Sequence, residues 1–191
     1  MFIACLLIAA FAAAADQLIK LVVVEKIAMY QTIELVPNIL SLTQIRNTGA
    51  AWSIMEGQTW FLIALPVLIV ALALAYIFLN RKGKKLPLFS LALVMGGGIG
   101  NLIDRIKLGE VVDYIKLDFI GFPIFNFADM CVVVGAILFC VCLAVFDESK
   151  KVDRNKESEN SDDKVTDTKA QAHELNDGGN SQDENDGRAE V

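Results

Sequence analysis

Residues 96–129 read GGGIGNLIDRIKLGEVVDYIKLDFIGFPIFNFAD, and they set Asn101, Asp104, Arg105, Asp113, Asn126 and Asp129 within or beside segments otherwise apolar enough for a bilayer. An ionisable residue at the centre of a spanning helix costs at least about 2.5 kcal/mol, so such a cluster marks a functional site by default. Two of its carboxylates stand apart. Asp113 lies in the strand-like run VVDYIKLDF and Asp129 opens a new apolar helix. The loop between them can fold back and bring the two face to face, an arrangement fitted to acid-base hydrolysis.

The surrounding chain is that of an integral membrane protein. Of its 191 residues 54% are hydrophobic, the mean hydropathy is +0.48, and the excess comes from long apolar runs. The formal charge of -6 belongs to the C-terminal part, with fourteen acidic against seven basic residues from Asp147 onward. The body from Met1 to Phe146 is near neutral.

Upstream, residues 2–24 form a first span, which the absence of a basic leader and the continuation LIKLVVV favour over a cleaved signal peptide. Asp16 and Lys20 at i,i+4 share one face of it and can pair with each other alone or with the polar cluster. Between residues 25 and 58, TIELV, Pro37-Asn38 and ILSLTQI alternate around a turn signal, predicting a short β-hairpin. The segment NTGAAWS then supplies Asn47, Gly49 and further small residues, which permit close backbone approach. Trp52 and Trp60 bracket the return to the membrane as interfacial anchors.

Residues 60–79 form the second span and 86–106 the third, where Gly96, Gly97, Gly98 and Gly100 thin the helix for a close partner and Asn101, Asp104 and Arg105 give it a polar end. From Val111 to Ile120 the pattern predicts a strand. Its parity places Asp113 with Val111, Ile115, Leu117 and Phe119 on the apolar side, leaving Lys116 and Asp118 on other registers. Asn126 and Asp129, at i,i+3, share a face of the fourth span through MCVVVGAILFCVCLAVF.

The loop RKGKK belongs in the cytoplasm by the positive-inside rule, which puts both termini there and the polar loops outside. Beyond Phe146 the polar composition predicts a disordered cytoplasmic tail. The expected fold is therefore mainly α: four transmembrane helices, a small extracytoplasmic β-hairpin or β-sheet cradle and a disordered tail, divided as 1–146 and 147–191. Cys5, Cys131, Cys140 and Cys142 all fall in apolar segments and read as small buried hydrophobes, without a disulfide framework. The single His173 lies in the tail, so neither a histidine catalyst nor a histidine metal site is expected. A small transporter or a membrane scaffold would also place carboxylates in spans. Neither accounts for Asp113 on an apolar strand face beside a second, helix-opening aspartate.

DQLIK, NTGAAWS, GNLIDR, VVDY and FNFAD, in this order and on a four-span frame, closely resemble the lipoprotein signal peptidases, also called signal peptidase II. The resemblance covers residues 1–146. It implies an aspartic endopeptidase of the bacterial plasma membrane that cleaves signal peptides from diacylglyceryl-modified prolipoproteins just before the lipidated cysteine, with the site near the extracytoplasmic face. By the family pattern the catalytic pair is Asp113 and Asp129. Support residues carry over onto Asp16, Lys20, Asn47, Gly49, Asn101, Asp104, Arg105, Asn126 and Ala128, with Trp52 where an aromatic residue is usual. The expected partners are prolipoprotein substrates and membrane lipids, without nucleic acid, and the expected state is a monomer. No metal or cofactor is implied.

Overall fold

The computed structural model of the chain describes residues 1–49 and 59–145. The expectations for Trp52, for the small residues after Gly49 in NTGAAWS, for the tail 147–191 and for His173 lie outside the described residues. Contacts divide the chain into two units, Met1–Leu143 and Ala144–Val191.

Among the described residues, four helices are long and apolar enough to cross a membrane. The first, α1 (Phe2–Lys26), runs 25 residues, and at about 1.5 Å per residue it exceeds the roughly 30 Å hydrocarbon core. It buries Cys5, Ala9, Ala12, Ala13, Asp16, Lys20 and Val23, a stripe at helical spacing made of small and polar side chains, and leaves Ile3, Leu7, Phe11, Leu18 and Leu21 exposed. This inversion is what lipid imposes: hydrocarbon solvates leucine as well as a protein core does, so the packed face selects small residues and buried polar contacts instead. The helix continues two residues past the expected Val24.

After α1 come β1 (Thr32–Val36) and β2 (Leu40–Asn47), joined through the turn at Pro37-Asn38, where Asn38 takes the left-handed φ of 59° that asparagine tolerates. The helix α2 (Thr59–Leu79) follows, then α3 (Lys85–Leu108), which stops at Gly109 in a left-handed conformation with φ 77°. The strand β3 (Val111–Leu117) pairs antiparallel with β2, giving a three-stranded sheet in the order β1-β2-β3 with Asp113 opposite Ile45. The fourth span, α4 (Phe127–Val145), closes the described chain.

The most buried of the four helices is α3, and its glycines are the reason it can be. A Cβ on Gly96 would sit 2.7 Å from Ala12 Cβ and 2.8 Å from the Ala9 carbonyl oxygen, so α1 lies directly on the α3 backbone. On another side a Cβ at Gly97 would collide with the Ala128 carbonyl of α4. Gly135 of α4 is in turn pressed on Ser90 and Val94 of α3. Cys5 and Ala9 of α1, Ala73 and Ile77 of α2, and Leu88, Ala92 and Met95 of α3 form one core. A second core joins Val23 and Ile27 to Val112 and Tyr114, tying the sheet to the end of α1.

Three expectations need correction. The strand ends at Leu117 rather than Ile120, because Asp118 bonds back to the Ile39 carbonyl and residues 118–121 turn. Its parity does not separate an apolar from a polar face, since Val111, Val112, Asp113 and Tyr114 are all buried. The side chains packed in the core by α1 are Val112 and Tyr114, opposite in parity to Asp113, because the sheet is covered on both faces near its start. Third, Cys140 is exposed on α4 while Cys5, Cys131 and Cys142 are buried; all four are free thiols. A cysteine in a span is compatible with either side of the helix, because sulfur is apolar enough to face lipid.

Candidate active site

What brings the two aspartates together is a return of the chain along β3. After the turn, Phe125 bonds to Ile115 in both directions, with N–H···O distances of 2.7 and 3.1 Å, and its carbonyl also accepts from the Tyr114 amide. That pairing delivers Asn126 to the start of α4, beside the Asp113 carboxylate.

The first turn of α4 needs partners for its amides, since helical geometry supplies none. Side chains from β3, from α1 and from the cap residue Asn126 meet the need. The Tyr114 hydroxyl accepts from the Phe127 amide at 3.1 Å, Asp16 Oδ1 accepts from the Ala128 amide at 3.1 Å, and Asn126 Oδ1 accepts from the Asp129 amide at 3.0 Å. Asp129 Oδ2 accepts in return from the Asn126 amide at 3.1 Å, which completes a capping box. Asp129 is thus held by the helix that it opens. Its other oxygen, Oδ1, accepts from Asn101 Nδ2 at 2.7 Å.

Asp113 is held in the same way. Oδ1 accepts from Asn126 Nδ2 at 2.6 Å and Oδ2 from Asn47 Nδ2 at 2.8 Å. It is 2% exposed, and this burial pushes its carboxyl up to about 6. The hydrogen bonds from Asn47 and Asn126 oppose the rise and the Asp129 charge adds to it. Burial likewise holds the neighbouring Tyr114 phenol protonated, pushed up to about 12, so this residue is a cap and not a base.

Behind the pair lies a charged girdle between α1 and α3. Lys20 Nζ contacts Asp16 Oδ2 at 2.8 Å, Asp104 Oδ2 at 2.9 Å and Asn101 Oδ1 at 2.8 Å, so its three protons meet three acceptors. Asp104 Oδ2 also accepts from the Val112 amide at 3.3 Å. The self-neutralising pair envisaged for Asp16 and Lys20 is therefore one edge of a larger network reaching α3, α4 and β3. Lysine carries no acceptor, so Asn101 must turn its oxygen to Lys20 and its amide nitrogen to Asp129. Gly100 makes the girdle possible, because a Cβ there would stand 2.6 Å from Asp16 Oδ2.

Arg105 reaches the Gly49 carbonyl at 3.2 Å, and the Gly49 amide donates to Asn47 Oδ1 at 2.9 Å, which orients the Asn47 amide nitrogen toward Asp113. The described residues that the resemblance carried over, from Asp16 and Lys20 to Asn126, Ala128 and Asp129, thus meet at one end of the bundle. Asp113, Asp129, Asn47, Asn101 and Arg105 open on a cavity of about 510 Å³ whose other walls are Val111, Leu117, residues 122–125 and the Met130, Val133, Val134 face of α4. Ala128 takes part through its backbone and has no room for a larger side chain at 0% exposure.

Two contributors escaped the sequence reading. Gln17, whose Nε2 lies 2.8 Å from Asp104 Oδ1, follows Asp16 and borders the face that Asp16 and Lys20 share, and that position was its available signal. Tyr114 carried none: its role depends on where α4 starts in space.

The family model described as signal peptidase (SPase) II matches residues 8–145. The chain is 43% identical over 142 residues to the lipoprotein signal peptidase of Streptococcus agalactiae serotype Ia, covering 74% of this chain and 91% of the relative. It is 44% identical over 126 residues to that of Lactiplantibacillus plantarum, covering 66% and 84%. Among solved structures, a bacterial membrane enzyme determined by the in meso method at 2.3 Å superposes with a TM-score of 0.71 at 33% identity, covering 78% of this chain and 91% of that one.

Proposed function

Because this chain belongs to the signal peptidase II family, aspartic peptidases of bacterial membranes that remove the signal peptides of prolipoproteins, we propose that Asp113 and Asp129 are its catalytic pair and that it cleaves diacylglyceryl-modified substrates just before the lipidated cysteine. The observation that carries the assignment is Asn126. Its side-chain amide binds Asp113 and its backbone amide binds Asp129, and both carboxylates line a cavity with an apolar wall. The transporter and scaffold alternatives have no comparable observation behind them.

The chemistry follows from two carboxyls in one low-dielectric site. Both cannot ionise cheaply, so one retains its proton while the other acts as base. The base takes a proton from water as its oxygen attacks the scissile carbonyl, the acid protonates the developing oxyanion, and a proton then goes to the departing amine as the C–N bond breaks. Asn47, Asn101 and Asn126 present only N–H donors to the two carboxylates, leaving their remaining lone pairs to water and substrate. The scheme uses no metal or cofactor. The apolar wall from Met130 to Val134 suits a lipid-linked substrate entering from the bilayer.

The protein is multi-pass. In our reading, loop 81–85 and both chain ends face the cytoplasm and the site lies near the extracytoplasmic face, because loop 81–85 concentrates Arg81, Lys82, Lys84 and Lys85. Residues 1–146 form the peptidase domain, 147–191 an acidic tail without a catalytic role, and the working unit is a monomer.

Purified protein incubated with a diacylglyceryl-modified prolipoprotein should release a product whose mass begins at the lipidated cysteine. Asp113→Asn and Asp129→Asn should each abolish release while the protein still inserts, and the double variant should be no worse than either, because groups acting as a unit lose their effect together. Turnover by either purified asparagine variant would overturn the aspartic mechanism.

A further inference from the structure

We propose that Gln17 is a positioning residue for the cleavage reaction, holding Asp104 so that Lys20 remains on Asn101 and Asn101 on Asp129. The inference rests on the assignment of Asp113 and Asp129 as the catalytic pair. It goes beyond that assignment by giving a role to a side chain on α1, a helix that contributes no wall to the cavity.

The argument is one of donors and acceptors. Gln17 Nε2 lies 2.8 Å from Asp104 Oδ1 and 3.1 Å from the Gly100 carbonyl oxygen, contacts that match the two protons of its amide nitrogen, with Asp16 Oδ2 farther off at 3.4 Å. Asp104 is 4% exposed, and its other oxygen takes Lys20 Nζ and the Val112 amide. Gln17 is thus the donor that satisfies Oδ1. A buried carboxylate oxygen left without a donor carries the full desolvation cost of a charged group, and the side chain reorients to recover one. The nearest cation is Lys20, whose three protons are already divided among Asp16, Asp104 and Asn101.

If Asp104 turned both oxygens toward Lys20, the proton given to Asn101 would be the one lost, because it goes to a neutral amide while the other two go to carboxylates. Asn101 would then be free to rotate. Its donation to Asp129 Oδ1 at 2.7 Å, and its acceptance from Asn126 Nδ2 at 3.1 Å, both depend on its present orientation. The same movement would loosen the Val112 amide, which adjoins Asp113 in β3. Removal of one donor on α1 therefore reaches both carboxylates through a relay that starts outside the cavity.

The test compares wild type, Gln17→Leu and Gln17→Glu in steady-state cleavage of a synthetic peptide carrying a diacylglyceryl cysteine, from pH 5.5 to 8.5, with thermal stability of each purified protein measured alongside. Wild-type turnover, and its loss in Asp113→Asn, check the dyad reading separately. Gln17→Leu should lower kcat about tenfold or more with KM within about twofold, since a misplaced catalytic group loses transition-state stabilisation while the apolar wall of the cavity keeps its residues. In Gln17→Glu the new carboxyl donates to Asp104 only when protonated. Its kcat relative to wild type should therefore be low at pH 8.5 and recover as pH falls. Wild-type kcat and pH dependence in Gln17→Leu would overturn the proposal. So would losses in both variants that follow lost thermal stability at every pH without recovery of Gln17→Glu in acid, which would make Gln17 a packing residue only.

Discussion

Asn126 and Asp129 cap one another across the first turn of α4, Asn126 Oδ1 accepting from the Asp129 amide at 3.0 Å and Asp129 Oδ2 accepting from the Asn126 amide at 3.1 Å. A capping box ordinarily serves helix stability alone. Here one member is a proposed catalytic carboxylate and the other also binds Asp113, so helix initiation and site geometry are a single structural event. Asn126→Ala should cost about 0.5–2 kcal/mol through the lost cap. It should lower kcat/KM by roughly a hundredfold or more, since Asp113 loses its 2.6 Å donor as well. Steady-state cleavage and thermal unfolding in the same detergent separate the two effects, and a fall in stability with wild-type cleavage would show that the site does not need this residue.

Asn47 should tune the pH dependence. Burial raises the Asp113 carboxyl to about 6 and the Asn47 hydrogen bond restrains the rise, so one limb of a bell-shaped rate profile should fall near pH 6. Asn47→Ala removes the restraint and should move that limb to higher pH; a limb that stayed in place or moved down would contradict the assignment. Stability changes in the same window. Native Asp113 holds its proton more tightly than the unfolded chain, whose carboxyl titrates near about 3.9. Its contribution is therefore full below about pH 4 and is lost as pH rises through about 6.

Gly100 should tolerate no side chain. A Cβ 2.6 Å from Asp16 Oδ2 would push α1 from α3 at the charged girdle, and overpacking of this kind costs about 1–3 kcal/mol. Gly100→Ala should lower both membrane abundance and specific activity. Gly121, with nothing within 4 Å of its would-be Cβ, serves as control, and Gly121→Ala should keep abundance near wild type. Equal behaviour of the two variants would refute the close-approach reading.

Orientation can be read by thiol labelling in intact cells. In a cysteine-free background, Glu34→Cys on the exposed strand β1 should react with a membrane-impermeant maleimide and Lys84→Cys should not until the membrane is permeabilised. Labelling of Lys84→Cys in intact cells would reverse the proposed topology.

The primary sequence by itself determined the spans, the hairpin and the roster of polar residues apart from Gln17 and Tyr114, because each of these depends on local chemistry. Twenty apolar residues in succession have one stable state in a bilayer, Pro37-Asn38 between alternating segments makes a turn, and an aspartate in an apolar run marks a site wherever the chain goes. Only the tertiary structure decided how those residues are joined. Strand parity pointed to one apolar face for β3, yet both faces are covered, since α1 packs Val112 and Tyr114 while Asn126 and Asn47 meet the Asp113 carboxylate on the other side. The amides that begin α4 find their partners on α1, β3 and the cap residue, and Lys20 divides its protons over acceptors 4 to 84 positions away. Periodicity records which side of an element is apolar. It holds no information on which donor, far along the chain, will reach a given buried oxygen, and in this protein those long-range donors place Asp113 and Asp129 on one cavity.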